Sequence, residues 1–314
     1  MGQKVIHVAV GVIFNSDGKI LIARRAEDAH QGGLWEFPGG KVDAGETIHQ
    51  ALNRELYEEL DIHVDTTEPL IQIRHDYADK SVLLDVYKVL SFSGEPRGVE
   101  GQPIRWVEQT ELTSYAFPAA NKPIINALQL PDSMLITGAY ESREDFSVRL
   151  KGALHAGIRL VQLRCPGESA DGFRELAMIA EALCEPYQAK LVCNTAPANI
   201  LHCAGAGLHL NSRALLACDS RPIDKSQLLG ASCHNAVEVE QARRIGVDYI
   251  CLSPVAPTSS HPGAPVLGWE EFAALARTAG VPVFALGGMS VDDIPTAKAH
   301  GGQGIAAISC FWGG

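Results

Sequence analysis

A chain of 314 residues with 46% hydrophobic side chains is long enough for two domains with ordinary cores. Its formal charge of −11 argues against a surface that tracks DNA, yet it leaves room for a nucleotide whose phosphates a bound cation neutralises. No apolar run reaches the roughly 18 residues of a membrane span, and the N-terminus lacks the small-residue pattern of a cleaved secretory signal, so a cytoplasmic protein is expected.

Residues 5–14 and 19–24 read as strands around Asn15-Ser16-Asp17-Gly18, the signature of a hairpin. Residues 47–60 read as a helix with Leu52, Leu56 and Leu60 on one stripe and glutamates on another. Residues 82–90 and 104–107 read as further strands, and 122–128 as a short helix opened by Pro123. This half has an α+β pattern. The pattern changes near Leu130-Pro131-Asp132-Ser133. Short apolar strands follow at 134–137, 160–163, 190–193, 207–210, 228–231, 249–252, 283–286 and 304–308, separated by helical stretches such as 173–184, 237–245 and 269–279. Eight strands with crossovers predict an α/β domain, a small (β/α)8 TIM barrel at 134–314, behind an α+β domain with a mixed sheet at 1–130. All eight cysteines lie between Cys165 and Cys310, none as Cys-x-x-Cys, so buried free thiols are expected rather than a zinc ribbon.

The first half contains Gly40-Lys-Val-Asp-Ala-Gly-Glu46 and, seven residues later, Arg54-Glu55-Leu56-Tyr57-Glu58-Glu59-Leu60-Asp61-Ile62. On a helix, Glu55, Glu58 and Glu59 are spaced i, i+3, i+4 and share one face. Three carboxylates that close repel one another, and a hard cation such as Mg²⁺ reverses the sign. Glutamates alone would read as a solvated acidic face. The complete frame of glycines, arginine and glutamates is identified as the box of the Nudix hydrolases. Asp61 departs from it, standing where the pattern has Gly. Asp enters the left-handed, helix-ending conformation less readily than Gly, so a small stability cost is expected.

Within that family the first half resembles the MutT-type 8-oxo-dGTP diphosphatases. The resemblance is carried by Ala23-Arg24-Arg25, Ala29-His30, Glu36-Phe37-Pro38-Gly39-Gly40-Lys41, Gly94-Glu95-Pro96, Glu100-Gly101-Gln102-Pro103 and Phe117-Pro118-Ala119-Ala120-Asn121-Lys122-Pro123. It implies a Mg²⁺ site, with Mn²⁺ as a substitute, formed by the Gly39 carbonyl, Glu55, Glu58, Glu59 and Glu100. It implies a Glu46–Arg54 pair bracing loop to helix, and Arg25, His30, Phe37 and Asn121 at the nucleotide. Glu55 is the first choice for general base, with Glu100 as the alternative. Plain roles stand beside these: a helix cap for Asn121, core packing for Phe37 and a surface ion pair for Arg25. The implied reaction is hydrolysis of 8-oxo-dGTP to 8-oxo-dGMP and pyrophosphate, which sanitises the nucleotide pool and avoids mutation. The expected partner is a small nucleotide, with no direct DNA binding and no membrane.

From Met134 the chain resembles, more loosely, the thiamine phosphate synthase and thiazole tautomerase barrels. The matching residues are Val161-Gln162-Leu163-Arg164, Cys193-Asn194, Gly207-Leu208-His209-Leu210, His234, Ser253 to Thr258, Gly287-Gly288 and Ile308-Ser309. By this resemblance Gln162, Arg164, Asn194, Gly287, Gly288 and Ser309 would hold a phosphorylated ligand, and His234 would transfer a proton; the plain reading beside it is a structural histidine in a domain kept for stability or ligand sensing. Where the synthase pattern has lysines and metal-binding aspartates, this chain has Pro166, Thr195, Ala214 and His261. Synthase chemistry through Mg²⁺-pyrophosphate is therefore not expected. His202, His209 and His300 read as structural. The alternative reading of the whole chain is a Nudix hydrolase of thiamine-related or other damaged diphosphates, with the barrel as a ligand-binding or regulatory module.

Overall fold

A computed structural model describes residues 5–28, 31–76, 81–200, 205–258, 263 and 265–313. The chain divides into two compact units, Met1–Gln129 and Leu130–Gly314.

The first unit contains β1 (Val5–Ile13), β2 (Ile20–Arg24), β3 (Trp35–Glu36), β4 (Gly39–Lys41), α1 (Ile48–Leu60), β5 (His63–Asp76), β6 (Ser81–Ser93), β7 (Ile104–Val107) and α2 (Lys122–Gln129). One mixed sheet has the order β4-β1-β6-β5, with β1 and β6 parallel; a second has the order β3-β2-β7. The turn at 15–18 forms, with Gly18 N–H donating to the Asn15 carbonyl at 3.0 Å. The expected β1–β2 hairpin does not, because only an isolated bridge joins Phe14 to Ile20. Both edges of β1 are taken, by β4 and β6. Both of its faces are buried too: Ala9 and Ile13 pack with Leu52, Leu56 and Leu60 of α1, while Val10 and Val12 pack with Phe37 and Ile124. Tertiary pairing thus overrides a correct local turn. Strand β5 escapes the pattern reading because it is polar, carries Pro69 and shifts register three times against β6. As an edge strand it tolerates a residue that lacks an N–H.

Both ends of α1 are fixed by named groups. Thr47 and Gln50 form a capping box, with Thr47 N–H donating to Gln50 Oε1 at 2.8 Å. At the other end Asp61 adopts the left-handed conformation, φ 59° and ψ 37°. Its carboxylate accepts from Arg97 Nε and Nη2 at 3.0 and 2.8 Å, so the departure from Gly is offset by an ion pair.

The second unit runs β8 (Ser133–Ile136), α3 (Arg143–His155), β9 (Leu160–Leu163), α4 (Ala170–Cys184), β10 (Lys190–Asn194), α5 (Pro197–Ile200), β11 (Gly207–Leu210), α6 (Ser212–Ala217), β12 (Leu229–Cys233), α7 (Ala236–Ile245), β13 (Tyr249–Leu252), α8 (Gly268–Ala279), β14 (Val283–Leu286), α9 (Ile294–Ala299) and β15 (Gly304–Ala307). The eight strands close into a parallel barrel, as the alternation predicts. Its interior is packed by Leu130, Met134, Ile136, Leu160, Val192, Tyr249, Cys251, Phe284 and Ala306. Fully buried His209 contacts the Tyr249 hydroxyl through Nδ1 at 2.9 Å and Ser232 Oγ through Nε2 at 2.8 Å, which is a structural role. His300 likewise contacts the Thr296 carbonyl at 2.7 Å and stacks on Trp269; His202 lies outside the described residues. No disulfide joins one described cysteine to another, but burial is uneven. Cys184, Cys193, Cys233 and Cys251 are buried, Cys165 and Cys218 are half-buried, and Cys310 is exposed, against expectation. Cys310 follows the last strand, where no helix covers it among the described residues.

Candidate active site

Strand β4 and helix α1 bring the box together. Gly39 has φ +144°, and a Cβ there would meet the Ala9 carbonyl at 2.1 Å; a Cβ on Gly40 would meet the Glu55 carboxyl at the same distance. At Gly39 the positive φ and the approach to the β1 backbone require glycine, while at Gly40 a side chain would displace the Glu55 carboxyl. Arg54 then ties loop to helix. Its Nε and Nη2 donate to Glu46 at 2.8 and 2.9 Å, Nη2 also reaches the Lys41 carbonyl at 2.9 Å, and Nη1 donates to Glu55 at 2.8 Å. Hydrogen bonding to Arg54 holds the Glu46 carboxyl down at about 2. Exposed Glu58 lies 3.5 Å from the same guanidinium.

Glu59 is different. Its carboxyl accepts from the Gly39 N–H, at 3.2 Å. Burial pushes its pKa up to about 8, the Gly39 N–H works against this, and the charges of Glu36, Glu55 and Glu100 add to the rise. Val99 N–H donates to the Glu59 carbonyl at 3.0 Å, and Gln102 ties that carbonyl to the Glu100 backbone, carrying Glu100 to the end of α1. A cavity of about 280 Å³ is lined by Arg24, Arg25, Glu36, Glu59, Glu100 and Gln102, among others. Among the described residues no three His, Cys, Asp or Glu side chains stand close enough to share a metal ion as they are placed. The donor set still fits a hard divalent cation. It is all oxygen, and such an ion would offset the carboxylate repulsion that adds to the effect of burial on Glu59.

Glu36 has no role in the sequence reading. It pairs with Arg25, and burial raises its pKa in spite of that arginine. Its place beside Phe37 in Glu36-Phe37-Pro38-Gly39-Gly40 was the available signal. Phe37 is buried, stacked on Phe117 at 5.3 Å and packed in the core with Ala120 and Ile124. Asn121 ends a 3-10 turn, Ala119–Asn121, that runs directly into α2. Its side-chain oxygen is buried and has no hydrogen-bond partner among the described residues, so it caps none of them. Ala29 and His30 lie outside the described residues.

In the barrel, Asn194 Nδ2 donates to Gln162 Oε1 at 3.0 Å, while the Gln162 Nε2 is buried with no partner among the described residues. Arg164 is exposed, and its backbone exchanges hydrogen bonds with the Thr137 hydroxyl at 2.8 and 3.0 Å. Gly287 and Gly288 both have positive φ, pressed against Pro254 and Pro257, and Ser309 is exposed beyond β15. Thr195 accepts from Asn199 at 3.3 Å, and Ala214 sits in α6 with its N–H on the Asn211 cap. Neither offers a carboxylate, so these two positions do not supply ligands for a Mg²⁺-pyrophosphate group. His261 lies outside the described residues. His234 follows β12; its Nδ1 lies 2.8 Å from Glu238 Oε2.

The profile described as NUDIX domain matches residues 9–127, and the one described as thiamine monophosphate synthase matches residues 133–311. The first unit is 40% identical over 127 residues to an 8-oxo-dGTP diphosphatase of Escherichia coli, covering 40% of this chain and 98% of that protein. The second is 28% identical over 167 residues to a thiamine-phosphate synthase of Fusobacterium nucleatum, covering 53% of this chain and 81% of that protein. A solved thiamine phosphate pyrophosphorylase of Pyrococcus furiosus shares the barrel fold at 23% identity and TM-score 0.50, covering 63% of this chain and 91% of that one.

Proposed function

The chain belongs to the Nudix family through its first unit and to the thiamine monophosphate synthase family through its second, and on that premise we propose that the first unit hydrolyses 8-oxo-dGTP to 8-oxo-dGMP and pyrophosphate. The observation that carries this substrate is the buried, unpaired Asn121 Oδ1. An amide presents an acceptor and a donor together. The 8-oxo purine offers an N7–H donor beside its O6 acceptor, whereas guanine has two acceptors there. Against that edge the Asn121 oxygen gains a partner from the oxidised base and none from the ordinary one, and a buried acceptor left unpaired costs about 1–3 kcal/mol.

Gly39 through its carbonyl, with Glu55, Glu58, Glu59 and Glu100, would hold Mg²⁺ or Mn²⁺. When bound, the ion screens phosphate charge and acidifies water. Arg54 keeps Glu55 on the box loop, and Glu55 takes the proton of the attacking water. Arg25, turned into the cavity beside Glu36, meets the phosphates. The test is hydrolysis with Mg²⁺ across 8-oxo-dGTP, dGTP, CTP and thiamine diphosphate, read as pyrophosphate from the triphosphates and as orthophosphate from thiamine diphosphate. A preference for 8-oxo-dGTP is expected; a preference for thiamine diphosphate would replace this reading with the alternative one.

For the barrel we propose proton transfer on a phosphorylated heterocycle rather than pyrophosphate coupling. The loss of carboxylates at Thr195 and Ala214 and the presence of His234 beside a buried carboxylate support it. Coupling of thiazole phosphate with the pyrimidine diphosphate by the full chain would overturn it.

A further inference from the structure

Strand β12 alternates. Leu229, Ala231 and Cys233 pack outward under the helices, so Gly230 and Ser232 face inward, and His234 continues the inward row just past the strand. The next residue, Asn235, caps α7, which places Glu238 in the first turn, back against His234. Glu238 is 7% exposed. Its Oε2 accepts from the His234 backbone N–H at 2.7 Å and lies 2.8 Å from His234 Nδ1. Its Oε1 accepts from Ser212 Oγ at 2.5 Å, at the start of α6. Burial opposes the charge on Glu238, but the hydrogen bonds from Ser212 and His234 outweigh it and hold the carboxyl below its ordinary range. The His234 imidazole is 44% exposed, and its Nε2 makes no hydrogen bond among the described residues.

We infer that Glu238, anchored by Ser212, is a positioning residue that holds His234 as the Nδ1–H tautomer and so leaves Nε2 as the proton acceptor at the barrel mouth. An anionic carboxylate accepts and cannot donate, so the nitrogen facing it carries the proton. Proton transfer then breaks a substrate C–H bond. The proton moves to Nε2, the electron pair stays in the heterocycle, and Nε2 returns a proton to a second ring position; the Nδ1–H never leaves. The inference rests on the proton-transfer reading of the barrel for its chemistry, not for its tautomer.

Glu238 also anchors the start of α7, so the test has to separate positioning from support. Nitrogen-resolved NMR of the imidazoles in the full chain at neutral pH is expected to show Nδ1–H and bare Nε2 for His234. Glu238→Met keeps the length of the side chain but cannot accept, and should move His234 toward the Nε2–H form. In D2O with thiazole phosphate as probe, it should lower kcat for carbon deuteration about tenfold or more, with KM within about twofold, since a positioned base supplies about 10²–10⁴-fold. Ser212→Ala leaves both His234 contacts in place and should act in the same direction, more weakly. A wild-type Nε2–H tautomer, or a tautomer and kcat unmoved in Glu238→Met, overturns the inference. A wild-type Nδ1–H form that Glu238→Met removes, without any deuteration of the probe, supports the positioning role and overturns the reading of the barrel as a proton-transfer enzyme for that ligand.

Discussion

At the scale of single residues, the buried Asn121 side-chain oxygen has no hydrogen-bond partner among the described residues, and Glu59 is raised by burial and by the carboxylates around it. Replacing Asn121 with Ala removes the acceptor that would read the oxidised base. The ratio of kcat/KM for 8-oxo-dGTP over dGTP should fall by about 1–3 kcal/mol equivalent, with turnover of dGTP changed less. An unchanged ratio would mean that the buried oxygen is a tolerated defect. Glu59 takes its hydrogen bond from a neutral backbone N–H, in contrast to Glu55, which the Arg54 guanidinium engages. Glu59→Gln should therefore keep the fold and lower kcat about a hundredfold or more, roughly 2.7 kcal/mol of lost transition-state stabilisation. A variant with normal turnover and an unchanged melting temperature would remove Glu59 from the metal site.

At the scale of elements, α1 is stopped by Asp61 in a conformation most residues avoid, and Arg97 reaches across to hold it. Two effects oppose one another in Asp61→Gly. Relief of left-handed strain is of order 1 kcal/mol, and an exposed ion pair is worth about as much at most, so the net change in stability should stay within about 1 kcal/mol. Asp61→Val has no such compensation and should destabilise by roughly 1–3 kcal/mol, since a β-branched residue fits the left-handed region poorly. Denaturant titration of both variants checks this. If Asp61→Gly proves as damaging as Asp61→Val, the ion pair with Arg97 outweighs the relief of strain. In the barrel, burial lowers the His209 pKa from 6.5 to about 3. The unfolded chain takes up this proton near 6.5 and the folded barrel does not, so the unfolded state binds more protons between those values. The stability contributed by neutral His209 is complete above about 6.5 and is lost as pH falls toward 3. The pH dependence of unfolding over this window should flatten in His209→Gln; an identical slope would mean that His209 is protonated inside the barrel.

At the scale of the whole molecule, the two units match two different families, and every Nudix residue named above precedes Leu130. Leu130 packs in the barrel interior, and its carbonyl accepts from Gln303 Nε2 at 2.8 Å. We therefore propose Gln129 as the end of the first domain. A chain stopped there should fold and hydrolyse 8-oxo-dGTP with kcat/KM within about threefold of the full chain. Insoluble or inactive protein would mean that the barrel completes the hydrolase. Among the described residues no helix is long and apolar enough to cross a membrane.

The sequence by itself determined the two fold classes, because both rest on local signals: 3.6-residue and two-residue periodicity, and a box whose spacing places Glu55, Glu58 and Glu59 on one helical face. Turn chemistry at 15–18 was legible for the same reason, since a turn depends on four neighbouring residues. Which strands pair is not a local property, and so the tertiary structure alone decided that β1 and β2 part into different sheets. Burial is equally non-local. It separates Glu59, raised to about 8, from exposed Glu58 one residue away, and it turns Phe37 into core. It also brings Glu36 to the cavity and joins Ser212 to Glu238 across 26 residues. A residue's type and spacing fix what it is able to do; the groups that shield it from water, which come from distant segments, fix its charge and its free partners.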